Sequence, residues 1–138
     1  MSVFNAMNIS ASGLSAERLR MDVVAGNIAN ANTTRTEDGG AYRRKVAVFE
    51  EHVKKSTKSS NPYSGVMASS IVEDDSELEL VYNPSHPDAD ENGYVEMPNV
   101  DVLTEMTDLM VATRAYEANV TAMNASKGMY VKALEIGK

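Results

Sequence analysis

The sequence predicts an α+β fold in which two long terminal helices flank a small β-rich insert. Three observations lead there. Residues 99–138 carry large apolar side chains alternately four and three positions apart, residues 1–34 repeat theirs every seven, and the stretch between alternates in twos and is broken by proline and glycine. The chain therefore divides into an N-terminal helical segment (1–34), a β-rich middle (35–98) with a flexible loop at 54–65, and a C-terminal helical segment (99–138).

In the first segment Met7, Leu14, Met21 and Ile28 form the seven-residue repeat, with Phe4, Ala11 and Ala25 on the intermediate turns and Arg18 interrupting them. Such a repeat lays one apolar edge along a helix. Ser10 or Ser12 is suited to cap its start, Gly13 weakens its first turns, and the helix is expected to reach about Ala31, a length of roughly 40 Å. Glu17 and Asp22 are balanced by Arg18 and Arg20. A helix lying on a membrane surface is markedly basic, so this edge asks for a partner helix instead. Near its end stand Asn27 and Asn30, one turn apart among Ala25, Gly26, Ala29 and Ala31. An Asn amide both donates and accepts, and among small residues it can bond across to another helix and set register. Asn also disfavours helix interiors, so Asn32-Thr33-Thr34 ends the helix. The two roles are compatible.

Residues 35–40 read as a loop, and Tyr42 to Glu50 as a strand in which Tyr42, Arg44, Val46 and Val48 alternate with Arg43, Lys45, Ala47 and Phe49. The cluster Arg43-Arg44-Lys45 is too short for a nucleic-acid footprint and reads as a solvated strand edge, where basic residues also discourage edge pairing. The polar stretch 54–65 lacks core formers. Two short strands follow, Ala68–Glu73 and Glu77–Tyr82, with Asp74, Asp75 and Ser76 as the turn between them. Tyr94–Met97 is one more. A middle of this size is marginal by itself.

The C-terminal helix carries the longest pattern: Val102, Met106, Leu109, Tyr116, Val120, Met123, Tyr130 and Leu134, with Thr113 a weak member and Lys127 a break. No proline follows Pro98, and Gly128 sits late. At 1.5 Å per residue the helix is roughly 55 Å long, more than so short a chain can cover with its own core. A second stripe of Ala115, Ala118, Ala122 and Ala125 is offset by about 100°. Small residues let a neighbouring backbone come close, although alanine is also simply the best helix former for a solvent face.

Composition narrows the function. The formal net charge is −7, which argues against nucleic acid as a partner, since phosphate binding needs a basic face. There is no cysteine, which excludes disulfides, zinc thiolates and cysteine nucleophiles. Nine Met and only two Phe favour adaptable helix contacts over a dense globular core. No stretch reaches the length of a membrane span, and the start lacks a basic segment followed by an apolar run, so no ordinary cleaved signal is expected.

Chemistry is sparse. Asp88-Ala89-Asp90-Glu91-Asn92-Gly93 has the opening of a calcium loop, and Glu96 falls at its ninth place. The twelfth place, however, is Asn99, and Pro84 and Pro87 forbid the entering helix; an acidic turn at Asn92-Gly93 is the simpler reading, and no metal is expected. His52 and His86 lie in polar segments without a nucleophile motif. Glu50-Glu51 and Asp74-Asp75 are neighbours that point to opposite faces of a strand. No convergent constellation can be named, so neither catalysis nor a cofactor is expected.

Two terminal patterns remain: Ser12-Gly13-Leu14-Ser15-Ala16, Met21 and Ala25 to Thr33 at one end, and Asn99-Val100-Asp101, Glu105-Met106 and Arg114 to Asn119 at the other. Together they resemble the axial proteins of the bacterial flagellum, the rod and hook family. The middle, with Asp38 to Arg44 and Pro84 to Val95, is most similar to the proximal-rod members. Gly26 stands where that family usually has Asn, and Ala41 where Pro is common; neither touches the apolar repeats. The resemblance implies that the terminal helices pair as an antiparallel coiled coil and pack radially in a helical tube. It implies a structural subunit of the rod, exported through the flagellar type III apparatus without cleavage to a periplasmic position. The implied partners are copies of itself, other proximal and distal rod subunits, the ring/rod junction protein and the export apparatus, with no nucleic acid and no membrane insertion. Packing and assembly are expected to rest on Met7, Leu14, Met21, Asn27, Ile28, Asn30, Val102, Met106, Leu109, Tyr116, Val120, Met123, Tyr130 and Leu134. A generic coiled-coil adaptor explains the seams but not the paired terminal motifs, and a calcium-binding module rests on Asp88 to Gly93 alone.

Overall fold

A computed structural model describes residues 3–37, 39–53 and 63–137. Its elements run α1 (Val3–Ala29), β1 (Lys45–Val53), β2 (Tyr63–Glu73), β3 (Glu79–Tyr82), β4 (Tyr94–Met97) and α2 (Val102–Ile136). The α+β class and the long flanking helices are as the sequence predicts.

The two helices pack against each other in antiparallel register, and four contacts trace it. Phe4 meets Tyr130 edge to face at 5.2 Å between ring centroids. A Cβ on Gly13 would lie 3.0 Å from the Asn119 amide. The Thr113 hydroxyl lies 3.6 Å from the Met21 sulfur, and the Asn27 amide donates to Glu105 at 2.9 Å. Advancing along α1 therefore means retreating along α2 at the same rate, over nearly the whole of the 27-residue first helix.

α1 begins earlier than a cap at Ser10 or Ser12 would allow. Ser12 Oγ donates to the Ile9 carbonyl (2.7 Å) and Ser15 Oγ to the Ala11 carbonyl (3.2 Å), the back-bonding of serines inside a helix. The helix stops at Ala29 because Asn30 turns its amide onto the Gly26 carbonyl at 2.9 Å and takes a bond from Thr33. At the other end, Asp101 caps α2: its carboxylate accepts from Leu103 N (3.1 Å) and from the Thr104 hydroxyl. From there α2 runs for 35 residues, through Gly128, which is about 52 Å of helix.

The face that α2 turns to α1 differs from the expected one. It is built on Glu105, Ala112 and Ser126, which are buried, together with the half-buried Leu109, Tyr116, Asn119, Met123 and Tyr130. Leu109, Tyr116, Met123 and Tyr130 belong to the pattern read from the sequence. Val102, Met106, Val120 and Leu134 also belong to it, yet they remain exposed in the single chain. Of the alanine stripe, Ala118, Ala122 and Ala125 are exposed as well. On α1 the matching residues Met7, Leu14, Met21 and Ile28 are half-buried, while Ala16, Val24 and Asn27 are buried, as is Ala31 in the turn that follows.

Among the described residues the middle forms two separate two-stranded antiparallel sheets, β1–β2 and β3–β4. The expected hairpin across Asp74–Ser76 does not form, because β2 pairs back to β1 and β3 pairs forward to β4. The strand expected from Tyr42 starts at Lys45, since Tyr42 to Arg44 are held by the segments that flank the helices, with Tyr42 N donating to the Thr33 carbonyl (3.0 Å) and Arg44 N to Asn99 Oδ1 (2.8 Å). β2 starts at Tyr63 rather than Ala68, and β3 at Glu79 rather than Glu77; β4 is as expected. Of the loop expected at 54–65, residues 54–62 lie outside the described residues and the rest opens β2.

The β1–β2 hairpin lies on α1. Gly65, at φ +111°, comes so close that a Cβ there would meet Ser12 Oγ at 2.1 Å. The same hydroxyl accepts from Val66 N at 3.1 Å. Arg20 lies over the Phe49 ring at 5.1 Å. In the second sheet Val95 is buried and Tyr82 packs edge-on against Tyr94.

Candidate functional site

The polar centre of the molecule is a junction where the end of α1, the entry to β1, the 74–76 turn and the start of α2 meet. Asn27 and Glu105 are both fully buried. Asn27 Nδ2 donates to Glu105 Oε2 (2.9 Å) and to the Lys45 carbonyl (2.8 Å), while its Oδ1 accepts from Lys45 N (2.9 Å) and from the Tyr42 hydroxyl (3.0 Å). One side chain thus satisfies both backbone groups at the start of β1 and reaches the opposite helix. The other Glu105 oxygen accepts from Arg44 Nε at 2.6 Å. The Arg44 guanidinium also lies 3.5 Å from Asp108 and 3.8 Å from Asp74. Asn99 closes the ring, donating to the Asp74 carbonyl (3.0 Å) and to Ser76 Oγ (2.8 Å).

The electrostatics follow from this crowding. Burial, with the Glu73 and Glu105 carboxylates adding to it, holds the Tyr42 phenol above its ordinary range. The backbone and side chain of Ser76, with Arg44 contributing less, hold the Asp74 carboxyl below its own. A buried carboxylate is tolerated only when paired and hydrogen-bonded, and Glu105 has both kinds of partner. Donors and acceptors in the junction are consumed by one another. The arrangement holds four segments together and presents no free nucleophile.

Of the two asparagines picked from the sequence, Asn27 bonds across to the other helix and Asn30 ends its own. Sequence reading missed Glu105, Arg44 and Asn99. Arg44 is not a solvated edge charge, because its guanidinium sits among three carboxylates. The available signal was Glu105 itself, a charge three residues after Val102 and four before Leu109, where it interrupts an apolar face and needs a buried cation.

The second feature is the exposed apolar surface of α2. Leu103, Met106, Met110, Val111, Met129 and Leu134 are each more than half exposed. Apolar surface of this extent along one helix marks an interaction site.

The calcium reading of Asp88 to Gly93 finds no support in the geometry. Asp88 takes a bond from the Thr34 hydroxyl (2.9 Å) and pairs with Arg35 (3.6 Å). Asp90 Oδ1 is occupied by the backbone N–H groups of Asn92 and Tyr94, both at 2.8 Å. These bonds, Tyr94 foremost, lower the Asp90 pKa. Among the described residues no three acidic or histidine side chains are placed to hold a metal ion. His86 Nδ1 accepts from Asp88 N at 3.1 Å and so faces its own turn.

Comparison with known proteins agrees with the two ends of the chain. Residues 7–35 match the family described as Flagella basal body rod protein, and residues 91–136 match the Flagellar basal body rod FlgEFG protein C-terminal family. The flagellar basal-body rod protein FlgC of Bacillus subtilis is 50% identical, with each chain covered in full. That of Borreliella burgdorferi is 44% identical over 99% of this chain and 98% of its own. That of Salmonella typhimurium is 40% identical over the full length of both. With both terminal motifs matched and identity sustained across the middle, the chain belongs to the FlgC family of flagellar basal-body rod proteins.

Proposed function

We propose that this protein is a structural subunit of the proximal rod of the flagellar basal body, joined by helix packing into the shaft that motility requires. The observation that carries the proposal is the apolar surface of α2, where Met106 (52% exposed), Met110 (62%) and Leu134 (56%) are each more than half uncovered among the described residues. Contacts of one copy with the next that do not close a ring build a helical filament. A face running the length of a 35-residue helix suits that geometry. Its partners are further copies, other proximal and distal rod subunits and the ring/rod junction protein. We read the chain as a mechanical part and not an enzyme, because the buried polar groups of the junction satisfy one another.

The chain reaches a periplasmic position through the flagellar export apparatus without cleavage. No helix among the described residues is long and apolar enough to cross a membrane. The test is removal of the gene from its host, followed by complementation. The native chain restores swimming and is recovered, with its N-terminus uncleaved, from purified basal bodies. Met106→Asp combined with Val120→Asp does not restore swimming. Normal swimming by that variant, or absence of the native chain from basal bodies, would overturn the proposal.

A further inference from the structure

α2 has two faces that α1 can cover. Both contain Leu109, Tyr116, Met123 and Tyr130. One completes the set with Glu105, Ala112, Asn119 and Ser126, the other with Val102, Met106, Thr113, Val120 and Leu134. A turn of about 50° of the helix about its own axis exchanges them. Apolar area alone selects the second face, because Met, Val and Leu gain more from burial than Glu, Asn and Ser. The fold selects the first: Glu105 and Ala112 are 0% exposed and Met106 is 52% exposed.

We propose that the junction of Glu105 with Asn27 and Arg44 sets the rotation of α2, holding the small and polar face inward and leaving Val102, Met106, Val120 and Leu134 uncovered for neighbouring subunits. Only the outward role rests on the rod reading; the rotation does not.

The geometry gives the junction this power. With the small face inward, Glu105 receives Asn27 Nδ2 and Arg44 Nε. Turned by about 50°, its carboxylate leaves both. Asn27 cannot follow, because its amide is also tied to Lys45 N and to the Lys45 carbonyl. The turn therefore leaves one N–H of the buried Asn27 amide unpaired and takes from Arg44 its shortest carboxylate contact, a cost of the kind that fixes register when one polar residue stands in an apolar seam. The close approach at Gly13 works in the same direction. The Asn119 amide already lies at 3.0 Å from where a Cβ would be, so α1 has little room there for the side chain of Val120.

The chain has no cysteine, so a single introduced thiol reports helix rotation directly. Ser126→Cys marks the inner face and Met106→Cys the outer. In the isolated full-length chain the thiol at 126 should be alkylated at least about tenfold more slowly than the thiol at 106, as burial limits reaction to local opening. With Glu105→Leu and Arg44→Met added, the junction is replaced by apolar groups and the order of rates should reverse. With Glu105→Gln, whose amide oxygen still accepts, the native order should persist. Two results would overturn the proposal. One is a native order in a Glu105→Leu/Arg44→Met chain that keeps its helical circular dichroism. The other is loss of that signal, which would make the junction a source of stability and not a choice between faces. No assembly is involved in the measurement, so the rod reading stands or falls separately.

Discussion

Glu105 Oε1 accepts from Arg44 Nε at 2.6 Å, joining the first turn of α2 to the residue that precedes β1. The carboxylate is wholly buried while the guanidinium side chain keeps 25% of its surface in solvent. Removing the cation leaves a buried charge with only the Asn27 amide. Arg44→Ala is therefore expected to lower the unfolding free energy by about 3 kcal/mol. Replacing both partners by apolar residues, as in Glu105→Leu/Arg44→Met, should cost far less than that, since no charge is stranded. Urea unfolding of the three chains measures both values.

Gly65 should be intolerant of substitution. Its φ of +111° disfavours any L side chain, and a Cβ would meet Ser12 Oγ at 2.1 Å. Gly65→Ala is expected to destabilise the chain by about 2 kcal/mol. Adding Ser12→Ala relieves the clash but not the backbone strain, so the pair should be less damaging than the sum of the single changes. Equal damage in the single and double variants would show that the hydroxyl is not what Gly65 avoids.

The Asp101 cap gives a pH signature. The Thr104 hydroxyl, and then Leu103 N, lower its folded pKa below the ordinary value of 3.8. A depressed carboxylate stabilises the fold above its unfolded pKa, and that contribution is lost as pH falls through the folded value. Asp101→Ala should thus lower the melting midpoint at pH 7, and the gap from the native chain should close as pH is taken below about 4. Asp101→Asn should keep most of the cap, because Asn is also a good N-cap. A gap that stays constant down to pH 2 would be inconsistent with this account.

The two sets of α2 residues should separate folding from assembly. Leu109→Asp and Met123→Asp place a carboxylate at half-buried positions facing α1, so both folding stability and motility should be lost, at a cost of several kcal/mol for an unpaired buried charge. Met106→Asp lies on the exposed face. It should leave the thermal midpoint of the isolated chain within a few degrees of native while abolishing swimming. If Met106→Asp and Leu109→Asp unfold alike, the division of α2 into an inner and an outer face is wrong.

Two long helices, one at each end, with more apolar surface than the chain can hide, were legible in the residues alone. Asn27 as a residue able to bond across, and Tyr94–Met97 as a strand, were legible there too. Periodicity and turn chemistry are local properties, and they are legible residue by residue. Packing in three dimensions settled which side of α2 faces α1, which strand pairs with which, and what Arg44 does. Leu109, Tyr116, Met123 and Tyr130 belong to both possible faces, so spacing could not choose between them. The choice came from Glu105, whose carboxylate is satisfied only where Asn27 and Arg44, far away in the chain, are brought to it. A buried polar group is settled by the partners that folding supplies, and no window of sequence contains them.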